Sequence, residues 1–297
     1  MPATVHLIDA SPYIFRAHFA LPASIRDPAG VQVNAVYGFA SFLVKYLLDE
    51  RPSHVGVAFD QNLNSSFRNA SFPMYKARRV PVPSELERQL GTCEEIAGAL
   101  GLATFIDPDY EADDLIATIV DRTAASGAHY VLVSVDKDLA QLVGPRVTLC
   151  DPAKGVRLDP AGVQAKFGVA PGQITDLLAL AGDSVDNIPG VQGIGPKTAA
   201  ELLQRYGSLE DIYANLQDLR RSSMRGARGI AGRLEQEVAM AGLSKQLATV
   251  SLAAPVHVTL DDLAYRGPHE SRLDALCARL GFRTLHGRAI GRGMRAP

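Results

Sequence analysis

Short, nearly continuous apolar runs rich in β-branched residues recur through the first half of the chain, at 4–9 (TVHLID), 54–59 (HVGVAF), 102–106 (LATFI) and 129–134 (HYVLVS). Runs of this length and composition predict strands buried on both faces, as in a parallel sheet. Between them the apolar positions shift to helical spacing over 35–49, 84–100 and 112–125. The second of these helices follows Pro81 and Pro83 and opens Ser84-Glu85-Leu86-Glu87, the spacing of a capping box. Strand and helix in alternation predict an α/β fold with a mostly parallel, doubly wound sheet. From about residue 160 the strand signal fades, and helical patterns follow at 160–167, 171–181, 196–206, 208–215 and 228–242. The expected organisation is an α/β core over 1–165 with an excursion at about 61–90, a helical subdomain over 166–285, and a basic tail over 286–297.

Composition agrees with a folded chain. Of 297 residues, 47% are hydrophobic and 21% charged, which excludes a disordered or coiled-coil protein. No apolar run approaches the roughly 20 residues needed to span a bilayer. The opening MPATVHLIDASPYIF has no basic region of the signal-peptide kind. Cys93, Cys150 and Cys277 form no C-x-x-C pair, so neither a disulfide framework nor a structural zinc is expected, and the reading is a reduced, cytoplasmic protein.

Charge changes the picture more. The formal net charge of −2 argues against a nucleic-acid partner, yet the basic residues are clustered. Arg68, Lys76, Arg78, Arg79 and Arg88 fall in 66–90; Arg220, Arg221, Arg225, Arg228 and Arg233 fall in 220–233; Arg283, Arg288, Arg292 and Arg295 fall near the end.

The acids cluster elsewhere. Asp9, Asp60 and Asp136 each stand at or just after the end of a predicted strand, where open α/β sheets carry their functional crevice. A single such aspartate is usually a turn or cap residue. Three are joined by Glu111, Asp113 and Asp114 at one helix start, Asp138 at another, and Asp183 and Asp186 after the helix 171–181. Acids in a first helical turn gain some 0.3–1 kcal/mol from the macrodipole, which accounts for one or two of these but not for nine on loops expected at one sheet edge. Like charges brought together call for cations, and an all-oxygen set without His or Cys suits Mg²⁺, with Mn²⁺ as a substitute. Two such ions serve in-line displacement at phosphorus. Glu111 and Asp113, two apart, do not share a helix face, so Glu111 is expected just before the first turn, or one of the trio acts from behind the others.

The segment after Asp60 is long for a strand–helix connection and interleaves bases with aromatics. It reads as either a solvated excursion or a mobile arch in which Arg68, Lys76 and Arg79 grip phosphates while Phe72 and Tyr75 stack on bases. Lys76 is the candidate cation for charge developing on the transferred phosphate. Further on, Pro189-Gly-Val-Gln-Gly-Ile-Gly-Pro-Lys-Thr198 fails as a P-loop, because Pro196 intrudes before Lys197 and no strand precedes it. It reads either as a plain helix–turn–helix connection or as a Gly-rich hairpin whose amides, with Lys197 and Thr198, hold a phosphate backbone without regard to sequence.

The blocks LIDASPYIFRAHFALP, VAFD, YKARRVPVPSEL, YEADDLIATI, SVDKDLAQLV and LAGDSVDNIPGVQGIGPKTAAELL, in this order and over roughly residues 4 to 285, resemble the 5′→3′ exonuclease and flap endonuclease family, including the N-terminal nuclease domain of bacterial DNA polymerase I. The resemblance implies a helical arch at 61–90 and a helix-hairpin-helix in the helical subdomain. It implies a first metal site of Asp9, Asp60, Glu111 and Asp113 with Asp114 beside it, and a second of Asp136, Asp138, Asp183 and Asp186. It further implies arch contacts from Tyr75, Lys76 and Arg79, a DNA contact from Arg16, and a hairpin with Gly193, Gly195, Lys197 and Thr198 on duplex DNA and a K⁺ ion on its carbonyls. SVDKD stands where polymerase I domains usually read STGDKD, and no carboxylate is lost.

The expected function is therefore a free-standing, monomeric 5′ nuclease acting on DNA flaps, nicks and 5′ ends in replication or repair, with a DNA polymerase as functional partner. Asp9, Asp60, Asp113, Lys76 and Arg79 are its expected catalytic residues. The alternative is a DNA-binding module that has lost hydrolysis. A phosphatase of the haloacid dehalogenase type would need D-x-D-x-T where Asp9-Ala-Ser-Pro stands, and a dehydrogenase would need G-x-G-x-x-G after the first strand.

Overall fold

The computed structural model describes residues 2–63 and 65–291. These gather into two compact units: residues up to 63, 81–135 and from 251 onward form the first, and 64–80 with 136–250 the second.

In the first unit, β1 (Thr4–Asp9), β2 (His54–Asp60), β3 (Ala103–Asp107) and β4 (His129–Val133) lie parallel in the order β3-β2-β1-β4. The register pairs Leu7 with Gly56 and Leu132, and Asp60 with Asp107. The central strands are buried along nearly their whole length, which is why the sequence shows them as unbroken apolar runs. Because all four run the same way, Asp9, Asp60 and the residues after Val133 emerge at one edge.

The helices of this unit are α1 (Ser11–Ala20), α2 (Asn34–Glu50), α4 (Ser84–Ala99), α5 (Ala112–Thr123), α13 (Glu270–Leu280) and α14 (Arg283–Gly291). Helix α1 follows β1 after a single residue and has Pro12 in its first turn, where a missing N–H costs nothing. The capping box expected at Ser84 does not form. Pro83 occupies the N-cap position, and the Ser84 hydroxyl donates to Glu85 Oε2 instead. The region 283–291 is helical, so residues 286–291 are not the tail expected there, and the rest of that expectation, 292–297, lies outside the described residues.

The second unit holds α3 (Arg68–Ser71), the antiparallel pair β5 (Val147–Asp151) and β6 (Val156–Leu158), α6 (Pro160–Phe167), α7 (Ile174–Ala181), α8 (Pro196–Tyr206), α9 (Leu209–Ala214), α10 (Leu216–Arg221), α11 (Ala227–Gln236) and α12 (Val238–Ala248). Here caps do form: Asp159 accepts the Gly162 amide at 2.7 Å, and Ser208 accepts that of Asp211 at 3.1 Å. The single helix expected over 228–242 is two helices, broken at Glu237. A buried Asp176 ties three helices together, taking Lys245 Nζ at 2.7 Å and the Leu209 amide at 3.1 Å.

The units do not follow the linear division expected at 165. Residues 64–80 belong with the helices, and the chain from 251 returns to the parallel sheet, where Tyr265 donates its amide to Ser53 O at 2.8 Å. No helix among the described residues is long and apolar enough to cross a membrane.

Candidate active site

In the first unit, five of the predicted acids stand on elements that leave the sheet edge. Asp9 ends β1 and accepts the Ser134 hydroxyl at Oδ2, at 2.7 Å. Asp60 ends β2; its Oδ2 accepts the Ser11 hydroxyl at 2.5 Å and its Oδ1 the Ala112 amide at 2.8 Å. That amide opens α5, so Asp60 reaches the same helix start that carries the other three acids.

Glu111 is the N-cap of α5, with extended backbone (φ −84°, ψ 163°). Its extended conformation lets it escape the angular separation that two residues in a helix would impose, and one oxygen each of Glu111, Asp113 and Asp114 lies within 4.8 Å of the others. Asp114 is fully buried and is already engaged: Oδ2 accepts the Glu111 amide at 3.2 Å and Oδ1 the Ser251 amide at 2.6 Å. It therefore fixes the helix start that aims Glu111 and Asp113.

The second unit contributes the other four. Asp136 and Asp138 flank Lys137 where the chain enters a short 3₁₀ turn, and Asp136 Oδ1 accepts the Asp138 amide at 2.9 Å. Asp183 and Asp186 sit in a loop closed on itself by Asp183 N–H to Ile188 O at 2.9 Å and Ile188 N–H to Asp183 O at 2.7 Å. Glycine is required at both ends of that loop. Gly182 (φ +71°) and Gly190 (φ +67°) face each other so closely that a Cβ on Gly190 would lie 2.3 Å from Gly182 N.

One oxygen each of Asp138, Asp183 and Asp186 falls within 4.8 Å of the others, all three residues being buried. Asp138 Oδ1 is buried with no hydrogen-bond partner among the described residues. Burial pushes the Asp138 carboxyl well above the usual carboxylate range, and the charges of Asp136, Asp186 and Asp183 push it further. Asp136 is raised too, by burial and by Asp186, with Lys76 and Arg79 opposing the rise. A stranded carboxylate oxygen among hard oxygen donors fits a divalent cation of the Mg²⁺ class, so the residues present suit the ion.

In the segment after Asp60, Arg68, Tyr75, Lys76 and Arg79 all engage other groups of the protein. Arg68 is buried at 3% exposure, and its guanidinium donates to Leu247 O at 2.9 Å (Nε) and Thr249 O at 3.1 Å (Nη2). It satisfies carbonyls at the end of α12, as cations do at helix C-termini, and so does not reach a phosphate. Tyr75 is buried too, with its hydroxyl directed to Asp186 Oδ2 at 3.5 Å, so its ring offers no face to a base. Lys76 is buried in a left-handed conformation (φ +57°), and its amide donates to Asp186 O at 2.9 Å. Arg79 donates to Asp186 Oδ1 from Nε at 3.2 Å and from Nη2 at 2.5 Å. Within the second unit, residues 65–80 contain one helical turn, α3, and meet the Asp183–Ile188 loop through the Lys76 amide on Asp186 O and the Asn187 side chain on Met74 O. Phe72, Met74 and Arg78 line a cavity of about 460 Å³ whose other wall includes Asp183, Asn187 and Ile188.

In the hairpin between α7 and α8, Gly190 N–H is taken by the Ser244 hydroxyl (3.0 Å), Gln192 N–H by Glu237 (2.8 Å) and Ile194 N–H by Val191 O (3.0 Å). Gly193 and Gly195, both exposed, keep amides with no acceptor among the described residues, and Lys197 beside them is exposed as well. Thr198 is half-buried in the first turn of α8. Arg16 is exposed on α1, its guanidinium 5.4 Å from the centre of the Tyr13 ring.

Three residues were not singled out by sequence: Ser11, Ser134 and Lys137. The serines carry no signal beyond adjacency to strand ends. Lys137 could have been found from its place between two acids.

Residues 4–168 match the 5′-3′ exonuclease N-terminal resolvase-like domain, and 169–271 match the 5′-3′ exonuclease C-terminal SAM fold. The chain belongs to the 5′-3′ exonuclease family. Among relatives of this exonuclease chain, DNA polymerase I of Bacillus caldotenax is 39% identical over 282 residues, covering 94% of the chain and 31% of the polymerase. That of Mycobacterium leprae is 37% identical over 287 residues, covering 95% and 31%. The chain thus spans about a third of the length of these curated relatives. Its fold is that of the T5 D15 protein co-crystallised with metal ions (TM-score 0.67, 20% identity, 97% of this chain and 98% of that one). It is also that of the catalytic core of Rad2 in complex with DNA substrate (TM-score 0.60, 15% identity, 94% and 88%).

Proposed function

We propose that the chain is a structure-specific 5′ nuclease that hydrolyses phosphodiester bonds at 5′ ends and 5′ flaps of DNA by a two-metal-ion mechanism, in replication or repair. The observation that carries this reading is the buried Asp138 Oδ1, with no hydrogen-bond partner among the described residues, grouped with Asp183 and Asp186, an arrangement that a bare protein has no reason to keep. Family membership and the metal-bearing T5 relative support it.

Asp9, Asp60, Glu111 and Asp113 hold one Mg²⁺, with Asp114 as a positioning residue; Asp136, Asp138, Asp183 and Asp186 hold the other, and Mn²⁺ can substitute. When bound, the ions acidify a water at neutral pH and neutralise the leaving oxygen. Ser11 and Ser134 fix the orientation of Asp60 and Asp9 by their hydrogen bonds. Lys76 adds positive charge for the phosphate in the transition state, and the strain of its left-handed backbone accords with a functional placement. Arg79 holds Asp186 and contributes its charge to the same site.

DNA is held without reading bases. The helix-hairpin-helix formed by α7, the hairpin and α8 presents the amides of Gly193 and Gly195 with Lys197 and Thr198 to duplex phosphates. Its loop carbonyls hold a K⁺ ion. Phe72 and Arg78 receive the single strand, and Arg16 contacts DNA from α1. The protein acts as a cytoplasmic monomer, with a DNA polymerase as its functional partner.

Incubation with a 5′-labelled flap duplex, in Mg²⁺ and then in EDTA, tests the reading. Metal-dependent short products are expected. Junction binding without cleavage in any divalent ion would refute it in favour of an idle DNA-binding protein.

A further inference from the structure

The acids of the second unit are accompanied by their own cations, and these are held in different ways. Arg79 is fixed on Asp186 Oδ1 by two N–H groups. Lys137, between Asp136 and Asp138, instead places Nζ 2.8 Å from Asp183 Oδ2. The other oxygen of Asp183, Oδ1, accepts the Val185 amide at 2.8 Å. The ammonium therefore covers the oxygen that the backbone has left for a ligand. Asp183 is buried, whereas the Lys137 side chain is 40% exposed, so the ammonium can swing into water by rotation of its own stem.

We propose that Lys137 is a tethered competitor for the divalent ion of the Asp138, Asp183 and Asp186 cluster, its ammonium opposing the ion's charge at Asp183. This rests on the reading that these carboxylates hold a divalent ion. An ammonium and a divalent ion on one carboxylate repel each other, so each weakens the other's hold. In the absence of metal, Lys137 relieves the crowding of Asp136, Asp138 and Asp183. In its presence, the same pairing weakens affinity, so that half-filling of the site needs a higher ion concentration.

The experiment is a calorimetric titration of Mn²⁺ into the DNA-free chain, compared for wild type, Lys137→Met and Lys137→Arg. Lys137→Met is expected to bind one of its ions about fivefold more tightly, the factor that about 1 kcal/mol gives at 25 °C. Lys137→Arg, which keeps a cation beside Asp183, is expected to stay within about twofold of wild type. In EDTA, Lys137→Met should melt at a lower temperature than wild type, showing that the acids have lost their counter-charge. Unchanged or weaker Mn²⁺ binding by Lys137→Met overturns the proposal, including the case where only the EDTA melt moves, which marks a purely structural lysine. Wild type that binds no Mn²⁺ at all overturns the metal reading itself and this inference with it.

Discussion

Arg79 donates from both Nε and Nη2 to a single oxygen, Oδ1, of Asp186, at 3.2 and 2.5 Å. Together with the Lys76 amide on Asp186 O and the Asn187 side chain on Met74 O at 2.6 Å, this joins the segment after Asp60 to the loop carrying two of the four acids of the second unit. An arginine expected to face only phosphate thus also orients a candidate metal ligand.

Arg79→Lys tests that double role. Lysine keeps the charge but not the planar fork, so Asp186 would lose its two-point hold. Single-turnover cleavage of a flap substrate in saturating Mg²⁺ should fall by tenfold or more. Full activity in this variant would show that charge alone suffices.

Asp138 yields a prediction about pH. Its carboxyl is raised well above the ordinary range by burial first and then by Asp136, Asp186 and Asp183. A raised pKa in the folded state means that the fold holds the proton more tightly than the unfolded chain. The contribution to stability is then present below the ordinary carboxylate pKa of about 4 and is lost as pH rises through the raised value. In EDTA, Asp138→Asn should therefore melt higher than wild type at pH 7, by about 2–4 °C for each kcal/mol relieved, and close to it at pH 4. The same variant should be inactive on flap DNA. A lower melting temperature at pH 7 would refute this account of the strain.

Arg68 shows where sequence reading fails and why. The strands at 4–9 and 54–60 and the acids at their ends are legible because burial on both faces leaves an unbroken apolar run and a sharp polar stop. Acids close together in sequence, as Glu111, Asp113 and Asp114 are, can be seen to share a helix start, whereas the proximity of Asp138 to Asp183 and Asp186 depends on the fold. Sequence gives the charge of a side chain but not its direction. In a stretch with Lys76, Arg78 and Arg79, nothing local distinguishes the one guanidinium that turns inward to carbonyls of residues 247 and 249. The same holds for Tyr75, an aromatic in a basic segment that looks like a stacking platform and is instead a buried donor toward Asp186.

Arg68→Ala should therefore act on stability and not on DNA. Removing it strands the Leu247 and Thr249 carbonyls and opens a cavity, at a cost of about 2–4 kcal/mol in a urea melt. Arg68→Lys should recover little, for want of the fork. At a temperature where the variant is fully folded, its affinity for a flap duplex should match wild type within about twofold.

Lys197 is the converse case: an exposed lysine beside the amides of Gly193 and Gly195, which have no acceptor among the described residues. If the hairpin holds a phosphate backbone, Lys197→Ala removes one phosphate contact without touching the acids. Affinity for duplex DNA should fall several-fold at about 0.1 M salt, and the slope of log affinity against log salt should become shallower by about 0.9, the value of one neutralised phosphate. The reduction should be the same for unrelated duplex sequences, because backbone contacts carry no base information. Single-turnover cleavage with the variant saturated by DNA should equal wild type. A loss confined to that saturated rate, with affinity and salt slope unchanged, would remove the hairpin from DNA binding and place Lys197 in the chemistry instead.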